Sequence, residues 1–225
     1  MVRTDWEGAE LMQWINENDL KKWAERADAR ALLADMVADL IRATITDATR
    51  FRFPGGDVGQ VRGWDGDLET TDSISFVPDK KSKWEFGVGA GAAKANSDYN
   101  KRSDTDKVDA AVMKENILVL VNLEAWDTPR EMLTKWEDDR TAEGKWRGVR
   151  YIDAVSLVHW LDEHPAVAAL YAREVLGNAP KDGALSTDEF WDMYSLQFNP
   201  QLNEKVVVAD RRNGKCNYIL RGLST

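Results

Sequence analysis

An α/β fold with a mixed sheet is predicted by three observations. Residues 29–44 repeat apolar side chains at helical three-and-four spacing, residues 116–123 form a continuous apolar run, and short strand-like segments set off by Gly, Asp and Pro lie between them. In the helix Leu32, Leu33, Met36, Val37, Leu40 and Ile41 share one side, Arg30, Asp35, Asp39 and Arg42 occupy the other, and Asp28 stands where a cap is wanted. Such a helix covers one face of a sheet. Upstream, residues 9–15 and 19–26 read as shorter helices whose Trp14 and Trp23 are packing anchors.

After this helix the texture changes. Phe51-Arg52-Phe53 alternates, and Pro54-Gly55-Gly56-Asp57 with Val58-Gly59-Gln60 then interrupts regular structure. Residues 64–70 and 81–87 are brief strands. In residues 116–123, Ile117, Leu118, Val119, Leu120 and Val121 follow one another, as in a central strand buried on both faces. A helix is expected over 92–102, and another begins at Thr128-Pro129 and runs to about Glu143. Val149 to Ile152 is a further strand, and residues 153–176 hold two helices broken near His164-Pro165. In the tail, Thr187-Asp188-Glu189 starts a short helix, Asn199-Pro200 interrupts, and residues 205–208 form a small strand.

Composition narrows the function classes. The chain has 225 residues, 43% apolar and 31% charged, the balance of a globular protein. No stretch approaches the roughly 18 consecutive apolar residues of a membrane span, and no apolar signal core follows the first residues, so a cytoplasmic protein without membrane contact is expected. Cys216 is the single cysteine, and with only His159 and His164 beside it an ordinary structural zinc site is excluded. Any metal is therefore held by carboxylates. The formal charge of −9 excludes a uniformly basic nucleic-acid surface, yet residues 80–107 carry seven basic side chains against four acidic ones, a local net of +3.

The candidate chemistry lies in that same region. Asp65 is on one short strand, Glu85 on the next, and the polar helix bearing Lys94, Asn96, Asp98, Tyr99 and Arg102 follows directly. Two carboxylates on adjacent strands share a hard divalent cation such as Mg²⁺, which keeps waters open for a phosphate and an attacking water, and a nearby lysine stabilises the charge that grows on phosphorus. Lys83, Glu85 and Gly87 share a strand face; Lys94, Asp98 and Arg102 share a helix face. Spacing alone favours a plain reading, in which Asp65-Gly66 is a turn, Glu85 a surface partner of Lys83, and the helix an ordinary exposed one.

The runs Gly63-Trp64-Asp65-Gly66, Phe76-Val77-Pro78, Ser82-Lys83-Trp84-Glu85-Phe86-Gly87 and Lys94-Ala95-Asn96-Ser97-Asp98-Tyr99-Asn100-Lys101-Arg102 resemble the N-terminal effector domain attached to large NTPases in bacterial anti-phage defence. That domain is similar to the restriction-endonuclease-like PD-(D/E)xK nucleases. The likeness spans residues 29–177, with Glu143-Gly144-Lys145-Trp146 and His159-Trp160-Leu161. It implies a restriction-endonuclease-like core over 28–177, a mixed β-sheet flanked by helices, with a small helical extension at 1–27 and an extension or linker at 178–225. It further implies that Asp65 and Glu85 bind Mg²⁺ (or Mn²⁺) and that the protein hydrolyses phosphodiester bonds, with double-stranded DNA as substrate and a homo-oligomer or an NTPase defence partner for targeting.

The superfamily's lysine two residues after the glutamate is replaced here by Gly87. Lys94 is the first candidate for a relocated lysine and Lys83 the second, while Asn96, Asp98, Tyr99 and Arg102 support the site or contact phosphate. The alternative implied by the missing lysine is a catalytically inactive nuclease-fold module that binds nucleic acid or protein. Other signals are weaker. Residues 209–216 resemble a phosphate-binding loop, but Ala209 and Cys216 stand where glycine and a hydroxyl are required, so a docking or linker role is expected. His159 and His164 are read as surface or helix-capping residues, and Trp136, Trp146 and Trp160 as core.

Overall fold

The computed structural model describes residues 13–54, 63–71, 74–89, 91–126, 129–177 and 187–197. The chain divides into two compact units, Met1–Ala179 and Pro180–Thr225. The first is α/β. Its helices are α1 (Glu17–Ala24), α2 (Ala29–Thr44), α3 (Gly91–Arg102), α4 (Ala110–Glu115), α5 (Arg130–Ala142), α6 (Ala154–Glu163) and α7 (Pro165–Glu174). Its strands are β1 (Arg50–Arg52), β2 (Gly66–Thr70), β3 (Lys80–Gly87), β4 (Asn116–Asn122) and β5 (Gly148–Ile152).

The five strands lie in sequence order β1-β2-β3-β4-β5. β1, β2 and β3 pair antiparallel, as an up-and-down meander; β3, β4 and β5 pair parallel, which requires the crossovers supplied by α3 with α4 and by α5. The sheet is thus mixed and flanked by helices. β4 is interior and buried on both faces, as its apolar run demands, although the middle position belongs to β3.

Strand alternation sends side chains to two cores. Leu68, Trp84, Phe86, Val119, Val121 and Ile152 pack with α1, α2, α6 and α7, with Trp23 and Trp160 fully buried among them. Leu118, Leu120, Val149 and Tyr151 face the other way, under Ala95 and Tyr99 of α3, Met113 of α4, and Leu133 and Trp136 of α5. This second core stops at β4. On the β1–β3 side the same face is charged, carrying Arg50, Asp67, Glu69, Lys81, Lys83 and Glu85, because no apolar helix face covers it.

Several local expectations are revised. Asp28 makes no capping hydrogen bond to α2 and pairs with Arg26 instead. Trp64 and Asp65 precede β2 rather than lying within it, since the ladder begins at Gly66, where a Cβ would meet the Phe53 ring at 2.3 Å. α4 has no counterpart among the expected elements; Asp109 caps it through the Ala111 amide. Residues 13–16 are not helical, and the remainder of the helix expected over 9–15 lies outside the described residues.

His164 is not a free surface group: its Nε2 lies 2.9 Å from Thr44 Oγ1, which also accepts from the Trp160 indole and donates to Leu40. With the hydroxyl hydrogen given to Leu40, His164 must be the donor. His159 is exposed.

The second unit contributes α8 (Thr187–Ser195), the helix expected there. The strand expected at 205–208 and the loop at 209–216 lie outside the described residues. No helix among the described residues is long and apolar enough to cross a membrane.

Candidate functional site

The antiparallel register pairs Gly66 with Trp84 and Asp67 with Lys83, so one step beyond the ladder brings Asp65 opposite Glu85. The step is held by a substitution of partners. Asp65 Oδ2 accepts the Phe86 amide at 3.0 Å, taking a hydrogen bond that a further ladder residue would otherwise make. Its only ion-pair neighbour among the described residues, Arg30, is 3.9 Å away and largely exposed. Asp65 is therefore weakly neutralised.

Glu85 lies in the middle of the sheet with its side chain 3% exposed. Burial is the largest influence on it and pushes its carboxyl above the ordinary value of 4.5; the Asp65 charge pushes the same way, while Arg102 and Lys101 pull against both. Arg102 binds Glu85 through Nε at 2.6 Å and through Nη2, and Lys101 reaches the other oxygen at 3.3 Å. Arg102 is itself anchored, its guanidinium 4.6 Å over the Trp64 ring and donating to the Gly63 carbonyl at 3.0 Å.

One pleat further along β3 is Gly87. A Cβ there would lie 3.5 Å from Asp98 Oδ2 and 3.0 Å from Asn122 Nδ2. Lys94, one helical turn before Asp98, holds both oxygens of that carboxylate with its ammonium, and its stem packs over Gly89. Asp98 thus lies over Gly87, two residues beyond Glu85, and Lys94 over Gly89. This is the carboxyl end of the parallel pair β3 and β4, where open α/β sheets form their ligand crevices.

The other candidates are placed elsewhere. Lys83 is committed to Asp67 at 2.9 Å, one pleat away from Glu85, and Arg50 holds the second Asp67 oxygen at 3.1 Å. These residues line a separate cavity of about 200 Å³ with Glu69, Lys81 and Glu115. Asn96 turns to α5, accepting the Trp136 indole at 2.9 Å. Tyr99 is buried and donates to Glu143 at 2.7 Å; burial first, and that carboxylate second, push its hydroxyl up to about 12. Both join α3 to α5.

Reading the sequence missed Lys101, Trp64 and Asn122. The signal for Asn122 was a single polar residue closing the apolar run of β4, opposite Gly87 in the parallel register. Among the described residues no group of three or more His, Cys, Asp or Glu side chains is arranged to hold a metal ion. The oxygen donors on this face are the carboxylates of Asp65 and Glu85, opposite each other in register, with Asp98 near Gly87. Comparison of the chain with protein-family models, curated proteins and solved structures finds no match.

Proposed function

We propose that the α/β unit is a metal-dependent nuclease that hydrolyses phosphodiester bonds in DNA, acting in the cytoplasm as an effector of anti-phage defence. The observation that carries this reading is the opposition of Asp65 and Glu85 across β2 and β3, with the Lys94 ammonium held by Asp98 on the following helix. The order helix, three antiparallel strands, helix, parallel strand supports a restriction-endonuclease-like core.

The donor set fits a hard divalent cation: the buried Glu85 carboxylate, raised by burial and by the Asp65 charge, gains from a positive charge shared between the two. Magnesium, when bound by Asp65 and Glu85, would supply electrophilic stabilisation of the phosphate and acidify a water. In hydrolysis a water oxygen bonds to phosphorus, the bond to one sugar oxygen breaks, and negative charge grows on the phosphoryl oxygens. Lys94 faces that charge, with Asp98 fixing its direction. Arg102 must release Glu85 on loading, and its planar fork then suits a phosphate of the backbone. With a chain charge of −9, intrinsic DNA affinity is weak, so targeting falls to oligomerisation or to an NTPase partner.

Plasmid cleavage in Mg²⁺ or Mn²⁺ tests this. Asp65→Ala and Glu85→Ala are each expected to lower cleavage by about 100-fold or more; a wild type that cuts while both variants cut equally well ends the assignment. One observation favours a second reading, an inactive nuclease-fold module: Glu85 is already paired with Arg102 and Lys101. That reading expects DNA or protein binding without cleavage, unchanged by either substitution.

A further inference from the structure

The cavity of about 200 Å³ on the charged face of β1 to β3, bounded by α4, does not include Asp65 or Glu85 in its lining. Its deepest side chains are charged. Lys83 is 12% exposed and Asp67 13%, and the two meet at 2.9 Å. An ammonium has three hydrogens to donate and Asp67 takes one of them, its other oxygen being held by Arg50 Nε at 3.1 Å. Two cations thus share one carboxylate, and Lys83 keeps donors where solvent barely reaches. Glu69 brings the opposite sign. It stands opposite Arg50 in one register and Lys81 in the other, yet forms no ion pair with either, because Arg50 goes to Asp67 and Lys81 to Glu115 at 2.8 Å. Asp67 and Glu69 share one face of β2 about 6.6 Å apart by strand rise, so the positive and negative ends of the cavity are neighbours.

The mixture of signs decides what fits. Arg50, Lys81 and Lys83 line the cavity against Asp67, Glu69 and Glu115, three of each. A plain anion on Lys83 is repelled by the Glu69 carboxylate, and a plain cation on Glu69 is repelled by the ammonium. A small molecule that carries both charges a few bonds apart satisfies each end. The volume is also small, below the roughly 300–1,000 Å³ of pockets that enclose drug-sized ligands. We propose that the cavity binds the zwitterionic group of a free α-amino acid, its carboxylate on Lys83 and Arg50 and its ammonium on Glu69. The rim is open, Arg50 and Glu115 being 61% exposed, so the ligand's own side chain extends outward. This site is independent of the nuclease reading.

An NMR titration of the full chain with glycine, in the absence of DNA and metal, tests this, because glycine carries the zwitterion and no side chain. Glycine is expected to shift the amides of β2 and β3 around Asp67 and Lys83 in the millimolar range, as a ligand of few atoms does. Acetate and methylammonium, each with one charge, are expected to leave those amides in place at the same concentration, and L-alanine and L-serine to bind as glycine does. Lys83→Met and Glu69→Gln are each expected to weaken glycine binding about 10-fold or more, the effect of losing a charge-assisted hydrogen bond. Thermal unfolding checks that the variants are folded. Should Lys83→Met not fold, Glu69→Gln, which keeps the side chain's size and removes its charge, carries the comparison alone. The absence of any shift with glycine overturns the proposal. Equal shifts with acetate overturn it in favour of a plain anion site, and wild-type affinity in Glu69→Gln overturns the place assigned to the ammonium.

Discussion

Asp65 and Glu85 set two like charges near each other at a cost in stability. Burial, and after it the Asp65 charge, raise the Glu85 carboxyl, so the folded protein holds a proton on Glu85 at pH values where the unfolded chain has released it. Stability from this group is greatest at low pH and is lost as pH rises from about 4.5 through the raised value. Asp65→Asn keeps an oxygen for the Phe86 amide and removes the neighbouring charge. It is expected to stabilise the protein by about 1 kcal/mol at pH 7 and to lower the Glu85 pKa, checked by denaturant unfolding and an NMR titration. An unchanged Glu85 titration would show the two groups are not coupled. At this scale the sequence named the carboxylates and Arg102 but neither Lys101 nor the pairing with Glu85, because Arg102 and Lys101 reach Glu85 from a helix whose rotation is fixed by Tyr99 and Asn96 packing on α5.

Among elements, the pairing of α5 with β5 controls an exposed edge. β5 ends the sheet, and its outward amides at Val149 and Tyr151 are taken by Thr141 and Glu137 of α5, at 3.0 and 2.7 Å. An edge with its amides filled offers no template for a second chain. Glu137 serves at a cost: burial raises its carboxyl above the ordinary 4.5, opposed by the Tyr151 amide. The same sign follows as for Glu85, with stability falling as pH rises through the raised value. Glu137→Gln retains an acceptor for Tyr151 and removes the charge. Its thermal midpoint is expected to fall less than that of wild type between pH 4.5 and pH 7; an identical slope in both proteins excludes Glu137 as a contributor. Glu137→Ala, by contrast, orphans the amide and is expected to destabilise by about 1–3 kcal/mol in urea unfolding. Helix boundaries were legible where the chain carries its own signals, as at Asp153, which caps α6 through Ser156, and at Pro165. Asp28 failed as a cap because Arg26, two residues away, claims its carboxylate.

For the whole molecule, the sheet and both of its cores fall within Met1–Ala179. A chain ending after Ala179 is therefore expected to fold by itself and to unfold in one transition near the wild-type midpoint, followed by circular dichroism; a chain that stays unfolded would show that the second unit is required. The two faces differ in kind. One is apolar across all five strands, while the other is apolar only under α3, α4 and α5 and charged over β1 to β3. The proposed site sits at that border, where Glu85 is buried enough to be perturbed and its strand neighbours remain open to solvent.

The sequence by itself determined the α/β class, the order of the main elements, the interior strand β4 and the carboxylates of interest, because periodicity, apolar runs and Gly/Pro punctuation are local properties. Tertiary structure alone decided that Asp65 meets Glu85, that Lys83 belongs to Asp67, that Asn96 and Tyr99 serve packing, and that Asn122 stands over Gly87. Those facts depend on strand register and helix rotation, which are set by how two cores close against one sheet, and no stretch of sequence carries that information on its own.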